Sequence, residues 1–517
     1  MVTSMWQRGL SESRRLCARC VRNDGRISKR ALYSTDVHPP APGRLFHLLT
    51  DRGLVNQIAG NGNVLQRVLE TRRVGVYAGV DPTAPSLHLG HLLPLMVLFW
   101  MYIHGHNVIT LVGGATARIG DPSGRQTPRA QTLDETRKQN LDGIWGQMEL
   151  LWTNATAYLQ RRGYERTVGT RRLLNNASWL EGLSALEFLQ VLGSGTRIGA
   201  MLGRDTIKKR LQSGAGVSFA EFSYPLLQGW DWWHMYQAHD VQLQIGGSDQ
   251  YGNLVAGINA VEHIASNQVR SEERAHWLEK DGSLKEDFAP MGLTVPLLTT
   301  STGEKYGKSA GNAVWLDSSL TSPFDLYGLL LRSPDSDVER YLKLLTLVPL
   351  EEISATMKEH SVDPGKRRAQ HLLAREVLEL VHGQSQAQKT QDEHHAMRRP
   401  TLASIAHTST NTTAALGGPM EEGKRVALPR SHVLNQPLSR VLVHAGLVGS
   451  NSEGTRAIAK GGVYVAVNLA GPNRGDLSFV PVAVDQRAVA TESMLLDGLL
   501  VLRMGKWKVR VIEVAEN

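Results

Sequence analysis

Three short apolar runs, each followed directly by glycines or polar residues, most constrain what this chain can fold into. They lie at residues 74–80, 107–114 and 241–247. Each has the length and β-branched content of a buried strand, and helical spacing follows it. Strands that alternate with helices form a parallel sheet, and such sheets bind ligands at the carboxyl ends of their strands. The pattern therefore predicts an α/β fold with its site at that edge.

The rest of the chain changes composition along its length. A helix is predicted at residues 44–58, broken at Gly53, and another from about Leu87. The Thr-, Ser-, Ala-, Gly- and Pro-rich stretch before the last domain has no periodicity and is typical of a linker. Since 517 residues are too many for one ordinary core, we expect several domains. They are an α/β domain at 36–321, a helical domain at 322–395, a linker at 396–430 and a small α+β domain at 431–517.

Most of the formal charge of +8 lies at the N-terminus. Residues 1–35 contain eight arginines and lysines and two acidic residues, a net charge of +6. An Arg-rich, acid-poor segment with interspersed apolar residues such as Trp6 and Leu10 is typical of a mitochondrial transit peptide. A basic tail that stays attached is the alternative. Because the charge is concentrated there, it is poor evidence for nucleic-acid binding by the remaining chain.

Both cysteines, Cys17 and Cys20, lie in this leader. A single C-x-x-C pair without nearby histidines is a weak metal signal, and removal of the leader would exclude structural zinc and disulfides. No apolar run of eighteen residues occurs, so no membrane-spanning helix is predicted.

The segment YAGVDPTAPSLHLGHLLP, at 77–94, places His88 and His91 at a predicted helix start, after a turn that contains Thr83. The free N–H groups and dipole of a helix start favour anions, so this is a candidate site for a polyphosphate. An isolated H-x-x-H would more often face solvent or the core. A second candidate follows in EKYGKSAGN, at 304–312, a glycine-flanked loop whose ammonium groups can close over a pyrophosphate.

In this order, the two segments resemble the HIGH and KMSKS motifs of class I aminoacyl-tRNA synthetases, and their contexts resemble the tyrosyl branch. The resemblance covers roughly residues 44–517. It implies a Rossmann-like catalytic domain, anticodon-binding helices and a C-terminal RNA-binding domain of the ribosomal-protein and pseudouridine-synthase type. The implied reaction activates tyrosine with ATP and Mg²⁺, without a structural metal, and then transfers tyrosine to tRNA(Tyr). The implied catalytic residues are His88, His91, Thr83, Lys305, Lys308 and Ser309.

The segment EFSYPLLQGWDWW, at 221–233, places Tyr224, Gln228 and Asp231 on one helix face. An ordinary aromatic helix would explain the tryptophans but not these three polar side chains, because buried polar groups cost stability unless something satisfies them. By resemblance, Tyr77 and Asp231 bind the substrate phenol, and Asp121, Tyr224 and Gln228 bind its α-ammonium group. Gln244 and Gln250 are expected beside the tyrosine and the reacting carboxylate.

The segment QIGGSDQYGN, at 244–253, resembles the adenosine side of the same family. The implied ATP-binding residues are Gly79, Asp81, Gly90, Gly247, Asp249 and Lys308, and Arg125 and Arg129 are expected on a basic loop near the pyrophosphate. Two departures from the family pattern are Ala78, where many members have cysteine, and Tyr251, where tryptophan is frequent. Neither changes the expected function.

The resemblance also implies partners. Family members are homodimers, with the interface in the region around 150–215, and they act here in the mitochondrial matrix if the leader is a transit peptide. Candidate tRNA contacts, each of which could equally be solvated surface, are Arg440, Arg456, Lys460, Lys506, Lys508 and Arg510 in the last domain and Lys366, Arg367, Arg368 and Arg375 in the helical domain.

Three other functions remain open at this point. The chain could bind intron RNA, as some fungal mitochondrial synthetases do, although little chain would precede the first helix after processing. It could be an inactive paralogue, although both motifs are intact. It could activate tryptophan, which Asp231 and the C-terminal domain disfavour.

Overall fold

The computed structural model describes residues 45–123, 133–164, 168–214, 216–268, 276–301, 303, 308–309, 312–398, 425–468, 477–482, 489–496, 498–505 and 508–515. The chain divides into two compact units, Met1–Leu320 with Pro334–Ala369, and Thr321–Ser333 with Gln370–Asn517. The predicted transit peptide and most of the predicted linker lie outside the described residues.

A six-stranded sheet forms the centre of the first unit. Its strands are β1 (Gln57–Ala59), β2 (Gly75–Val80), β3 (Asn107–Val112), β4 (Arg171–Asn175), β5 (Val241–Gly247) and β6 (Met291–Val295). Their order in the sheet is β1-β6-β5-β2-β3-β4, with β1 antiparallel to β6 and all other pairs parallel. The three strands predicted from the sequence are confirmed as β2, β3 and β5, and with them the parallel α/β sheet.

Helices pack on the sheet and extend from it. Those in the first part of the chain are α1 (Leu45–Asp51), α2 (Gly62–Thr71), α3 (Leu92–Ile103), α4 (Asp134–Arg161), α5 (Ala177–Leu180), α6 (Ala185–Val191), α7 (Ile198–Leu202), α8 (Asp205–Gln212), α9 (Phe219–His239) and α10 (Tyr251–Gln268). All of α3 except Pro94 is buried, and the helix packs against β2, β3 and β5. A helix that is apolar on every side belongs inside a domain, as this one does.

The helix α9 has strong signals at both ends. Ser218 and Glu221 form a capping box at its start, and Asp240 ends it in the left-handed conformation with φ 52°. A Cβ on Gly229 would lie 2.9 Å from Cβ of Ala260, so the glycine lets α9 and α10 approach closely. These local features hold the helix that carries Tyr224 and Asp231 in a defined position.

Two helix predictions need correction. The predicted helix at 44–58 ends at Asp51, and residues 57–59 instead form β1, because they pair antiparallel with β6. The helix predicted from about Leu87 begins with a short 3₁₀ turn at Leu89–His91, and the α-helix α3 starts at Leu92.

The predicted helical character of 322–395 is confirmed. The helices are α11 (Pro323–Leu331), α12 (Asp335–Leu345), α13 (Leu350–Val362), α14 (Arg368–His382) and α15 (Gln384–Arg398). However, α12 and α13 belong to the first compact unit. The hydroxyl of Tyr341 donates to the carbonyl of Thr299 at 3.0 Å, and Ser301 N–H donates to Asp337 at 3.1 Å. Packing thus divides a stretch that looks uniform in the sequence.

The last part of the chain forms a small α+β fold, as predicted. In the first unit, β7 (Lys308–Ser309) and β8 (Asn312–Ala313) form a separate hairpin. The elements of the C-terminal fold are β9 (Arg425–Pro429), α16 (Arg430–Val433), α17 (Leu438–His444), α18 (Asn451–Ala459), β10 (Val463–Asn468), β11 (Leu477–Pro481), β12 (Leu499–Met504) and β13 (Lys508–Ala515). The sheet order is β11-β10-β12-β13-β9. The predicted linker end at 430 is therefore wrong, since residues 425–429 are a strand that pairs in parallel with β13.

No helix in the described parts of the chain is both long and apolar enough to cross a membrane.

Candidate active site

The site lies where the strand order of the first sheet changes direction. From β2 the chain continues through β3 to β4 on one side, and β5 and β6 lie on the other. Tyr77 in β2 is the register partner of Gln244 in β5, and both side chains are buried. The hydroxyl of Tyr77 and Oε1 of Gln244 have no hydrogen-bond partner among the described residues. Buried polar atoms are rarely left unpaired, so these two atoms indicate a polar ligand.

Asp231 is buried, with an exposed fraction of 3%. Its Oδ1 accepts from the indole nitrogen of Trp179 at 2.7 Å, and its Oδ2 accepts from Nδ2 of Asn176 at 2.9 Å. Burial raises the pKa of Asp231 to about 7, although the two hydrogen bonds favour the ionised form. Burial, and then the charge of Asp231, raises the pKa of Tyr77 well above its usual value, so the phenol stays protonated. The predicted phenol-binding residues are thus brought together.

A second carboxylate, Asp81, joins the helix α9 to the sheet. Tyr224 donates to its Oδ2 at 2.8 Å, and Thr116 donates to its Oδ1 at 2.7 Å. Asn176 also donates to Thr116 at 2.9 Å. Hydrogen bonds therefore run without a break from Asp231 to Tyr224, which orients both ends of the pocket.

The third carboxylate, Asp121, lies in a polar group of its own. Nε2 of Gln250 donates to Oδ2 at 2.6 Å, Nδ2 of Asn253 donates to Oδ1 at 3.3 Å, and the backbone N–H of Ser123 donates to Oδ1 at 2.9 Å. The structure thus brings two predicted residues, Asp121 and Gln250, into contact. Gln228 is half-buried one turn from both Tyr224 and Asp231, and its side chain makes no hydrogen bond with another described residue.

Glycines shape the two strand ends. A Cβ on Gly113 would lie 1.9 Å from Oδ1 of Asp81, and a Cβ on Gly246 would lie 2.8 Å from Cβ of Gln250. A Cβ on Gly79 would make only ordinary contacts, with Leu111 of β3 at 3.8 Å. Gly247 precedes a 3₁₀ turn in which Asp249 is exposed.

The two histidines of the HLGH segment form a compact pair. Their rings stack with centroids 3.8 Å apart. Nδ1 of His91 accepts from the backbone N–H of His88 at 3.0 Å, and Nδ1 of His88 accepts from Gly90 N–H at 3.1 Å. Burial, and then His88, lowers the pKa of His91 to about 3. His91 is therefore a neutral imidazole at neutral pH. Thr83 is exposed beside this segment.

The chain that follows the lysine loop runs beside the histidines. Leu89 N–H donates to the carbonyl of Val314 at 3.1 Å, and Leu316 N–H donates to the carbonyl of Leu87 at 2.8 Å. The backbones of Lys308 and Ser309 form β7, but their side chains lie outside the described residues. Lys305, Arg125 and Arg129 lie outside them entirely.

Four residues of this site were not predicted from the sequence. They are Asn176, Trp179, Thr116 and Asn253. Asn176 directly follows β4, at the sheet edge where the other polar residues gather. Its position at the carboxyl end of a strand is the sequence feature that could have identified it as a site residue.

The arrangement suits a ligand with a cationic end and a phenol. Three carboxylates, Asp81, Asp121 and Asp231, lie among these residues, together with the unpartnered hydroxyl of Tyr77 and the unpartnered amide oxygen of Gln244. Among the described residues, no three His, Cys, Asp or Glu side chains come together as a metal site.

Comparison with known proteins decides between the related chemistries. Residues 69–398 match the family "tRNA synthetases class I (W and Y)", and residues 419–517 match the "Tyrosyl-tRNA synthetase C-terminal domain". The chain is 42% identical over 495 residues to the mitochondrial tyrosine–tRNA ligase of Podospora anserina, covering 91% of this chain and 75% of that protein. It is 33% identical to that of Rattus norvegicus, covering 96% and 99%. The chain belongs to the tyrosyl-tRNA synthetase family.

A solved structure agrees with this assignment. The C-terminally truncated mitochondrial tyrosyl-tRNA synthetase of Aspergillus nidulans is 45% identical and superposes with a TM-score of 0.63 over 68% of this chain and 94% of that one. The recognised family fold, a Rossmann-like domain with helical and C-terminal α+β parts, is confirmed.

The basic residues predicted to contact tRNA differ in their exposure and in their contacts within the protein. Arg456 and Lys460 are exposed on and after α18, and Arg440 and Lys508 are exposed. Nε of Arg510 instead donates to the carbonyl of Ala445 at 3.0 Å, so this side chain stabilises the fold of the domain. Lys506 lies outside the described residues.

The other basic group already has acidic partners. Lys366 pairs with Asp363, Arg368 with Glu359 and Arg375 with Glu376. Arg367 takes a left-handed conformation with φ 51° between two helices. Lys366 and Arg368 are exposed, and surface ion pairs of this kind contribute little stability.

Proposed function

We propose that this chain is the tyrosine–tRNA ligase of mitochondria, which forms tyrosyl-adenylate from tyrosine and ATP and transfers tyrosine to tRNA(Tyr). The observation that carries the proposal is the buried carboxylate of Asp231, held by Trp179 and Asn176, near the unpartnered hydroxyl of Tyr77.

This pair can select the phenol of the substrate. Each oxygen of Asp231 accepts one hydrogen bond from the protein, and a carboxylate has about four lone-pair sites, so capacity remains for a phenol O–H. Tyr77 can donate to the phenol oxygen in return. Phenylalanine would leave both groups buried and unpaired, which is the physical basis of the strong discrimination known for this family.

The other end of the pocket suits an α-ammonium group. Tyr224 uses its proton on Asp81, which leaves its oxygen free to accept from a cation. Within the described part of the chain, Asp121 accepts hydrogen bonds from neutral groups only, so its carboxylate can bind the same cationic group. Gln228 lies on the same helix face and would complete the set.

The reaction needs no protein nucleophile. The carboxylate of tyrosine attacks the α-phosphorus of ATP, pyrophosphate leaves, and the 3′-terminal ribose hydroxyl of tRNA then attacks the adenylate. ATP brings Mg²⁺ as its counterion. The neutral His91, His88 and Thr83 would bind phosphate oxygens, and the lysine loop with Lys305, Lys308 and Ser309 would neutralise the charge that develops there. Gly79, Gly90, Gly247 and Asp249 would border the adenosine.

ATP–pyrophosphate exchange tests this activity directly. The chain without residues 1–35 should catalyse exchange with tyrosine, and not with phenylalanine or tryptophan. Asp231→Ala should abolish it, whereas Asp142→Ala, at an exposed position of α4, should leave it unchanged. Exchange with tryptophan instead, or none from the folded protein, would refute the proposal.

We also infer that the chain is a homodimer. Large apolar side chains are exposed between α6 and α9, namely Leu186 at 80%, Ile198 at 67% and Phe219 at 76%. They lie in or next to the region where the family's interface is expected, and large apolar side chains exposed at such a place are typical of an interface. Sedimentation of Ile198→Asp or Phe219→Asp should give a monomer. Val362→Asp, at an exposed apolar residue of α13, should remain a dimer.

The tRNA partner should contact the C-terminal domain. Exchange of Arg456 or Lys460 for alanine should raise the KM for tRNA(Tyr) and reduce its salt dependence by about one counterion per contact. ATP–pyrophosphate exchange should not change, because it does not require tRNA.

Import of a fluorescent protein fused to residues 1–35 would test the mitochondrial matrix address.

A further inference from the structure

One glutamine of α4 contacts the segment that carries the two histidines. Gln147 is half-buried, and its Oε1 accepts from the backbone N–H of Leu87 at 2.9 Å and from the hydroxyl of Ser86 at 3.0 Å. The Ser86 hydroxyl also points to the carbonyl of Leu87, at 2.7 Å. Ser86 and Leu87 are buried and directly precede His88. The side chain of Gln147 thus satisfies a buried backbone donor at the start of the histidine turn.

The other end of this amide contacts the chain that follows the lysine loop. Nε2 of Gln147 donates to Oδ2 of Asp317 at 3.4 Å, and the backbone N–H of Asp317 donates to Oγ of Ser86 at 3.1 Å. A backbone N–H can only donate, so the bond from Leu87 fixes Oε1 as the acceptor and leaves the NH₂ group for the carboxylate. Gln147, Ser86 and Asp317 therefore join the two segments through their side chains.

These contacts lie at one end of a short antiparallel pairing between the same two segments. His88 and Trp315 form an antiparallel bridge, with ring centres 6.4 Å apart. Shortly before Trp315, Ala313 of β8 is the register partner of Lys308 in β7. A shift of residues 314–317 would therefore change the position of the histidine segment relative to the backbone of Lys308.

The helix α4 is anchored to the sheet close to this contact. Trp152, further along the helix, is buried, and its indole nitrogen donates to Oγ1 of Thr110 in β3 at 2.7 Å. One turn before Gln147, a Cβ on Gly143 would lie 3.2 Å from the carbonyl oxygen of Pro85. The absence of that carbon lets α4 approach the histidine segment. The amide of Gln147 is thus presented by a helix whose own position is fixed.

We propose that Gln147 is a positioning residue of the activation step. It holds the histidine segment and residues 314–317 together, so that His88 and His91 meet the phosphates of ATP in a fixed geometry. Gln147 acts through these histidines and not on the substrate. The inference rests on the proposed tyrosine activation and deepens it on the phosphate side. Donors that are oriented in advance lose much of their effect on a transition state when they are displaced by even a small distance.

Gln147→Met tests the proposal, because it keeps the length of the side chain and removes its hydrogen bonds. We expect kcat for ATP–pyrophosphate exchange to fall about tenfold, while the KM for tyrosine stays the same. Titration of competent sites by the burst of tyrosyl-adenylate corrects kcat for any unfolded protein, so a loss of stability does not produce this split. Gln160→Met, at an exposed position near the end of α4, is the matched control and should leave both constants unchanged.

A reciprocal exchange of groups tests the contact with Asp317 and covers the case in which Gln147→Met fails to fold. Gln147→Glu keeps an acceptor for the N–H of Leu87 but places a carboxylate oxygen beside Asp317, so kcat should fall. Addition of Asp317→Asn returns a donor opposite an acceptor, with the amide now on the other segment. The double variant should therefore recover most of the lost kcat.

Exchange by the unaltered chain tests the proposed function, whereas the ratio of variant to unaltered chain tests the role of Gln147. An unchanged kcat in Gln147→Met would overturn the inference. A rise in the KM for tyrosine as large as the fall in kcat would also overturn it, because the effect would then not be confined to the phosphate side. The same holds for a double variant that is no more active than Gln147→Glu.

Discussion

The indole nitrogen of Trp179 donates a 2.7 Å hydrogen bond to Oδ1 of Asp231, 52 residues further along the chain. Trp179 also stacks on His234, with ring centres 4.3 Å apart. The contact joins the short helix α5 to α9 and fixes the carboxylate that we propose to recognise the phenol. A carboxylate that is buried and oriented in advance is suited to a demanding selection, because it does not reorganise when substrate binds.

Asp231 should make stability depend on pH. Its folded pKa of about 7 lies above its ordinary value of 3.8, so the unfolded chain loses this proton first as the pH rises. The stability linked to this group is fully present below about pH 4 and is lost as the pH approaches 7, by at most about 4 kcal/mol. Asp231→Asn should remove this slope. Urea unfolding at a series of pH values measures it, and equal slopes for both proteins would contradict the assignment.

Tyr77→Phe should relax the choice of amino acid. The variant loses the hydroxyl that we expect to pair with the phenol, so kcat/KM for tyrosine should fall about tenfold. The kcat/KM for phenylalanine should change little, because phenylalanine has no hydroxyl to pair with that of Tyr77. The ratio of the two exchange activities measures the effect. Tyr251→Phe, at an exposed position, serves as the control and should leave the ratio as it is.

His91 should act as a neutral group. Since its pKa is about 3 and Nδ1 accepts from His88 N–H, the proton is on Nε2 throughout the neutral range. His91→Ala should lower kcat for exchange by about 10² if this proton is donated to a phosphate in the transition state. The pH profile around neutrality should keep its shape. A titration near pH 6.5 that disappears in the variant would mean that His91 is charged during the reaction.

Gly113→Ala should damage the site without touching substrate. The added carbon would lie 1.9 Å from Oδ1 of Asp81 and 2.4 Å from Oγ1 of Thr116, so the hydrogen-bonded chain from Asp231 to Tyr224 must shift. We expect the KM for tyrosine to rise at least about tenfold. Gly146→Ala in α4 is the matched control, because nothing lies within 4 Å of the added carbon. Near-ultraviolet circular dichroism verifies that both variants are folded.

Much of the framework was predictable because its signals are local. The strands β2, β3 and β5 follow from apolar runs that end in glycines or polar residues, and the start of α9 follows from Ser218 and Glu221, three residues apart. Histidines at a turn before an apolar helix also depend only on neighbouring residues. Such features form wherever their short sequence occurs in a compatible chain, so reading along the chain finds them.

Tertiary structure alone decided which side chains complete the site. Asp81 and Tyr224 are 143 residues apart, and Thr294 is paired with residues 237 positions earlier through β1. The strand β9 exists because its backbone finds β13, and Arg52 is buried because carbonyls near 343–348 surround it. The sequence by itself determined the elements and the chemistry available at their ends. The partners of Asp231, the end of the linker and the burial of Arg52 depend on packing between distant segments, which no local pattern encodes.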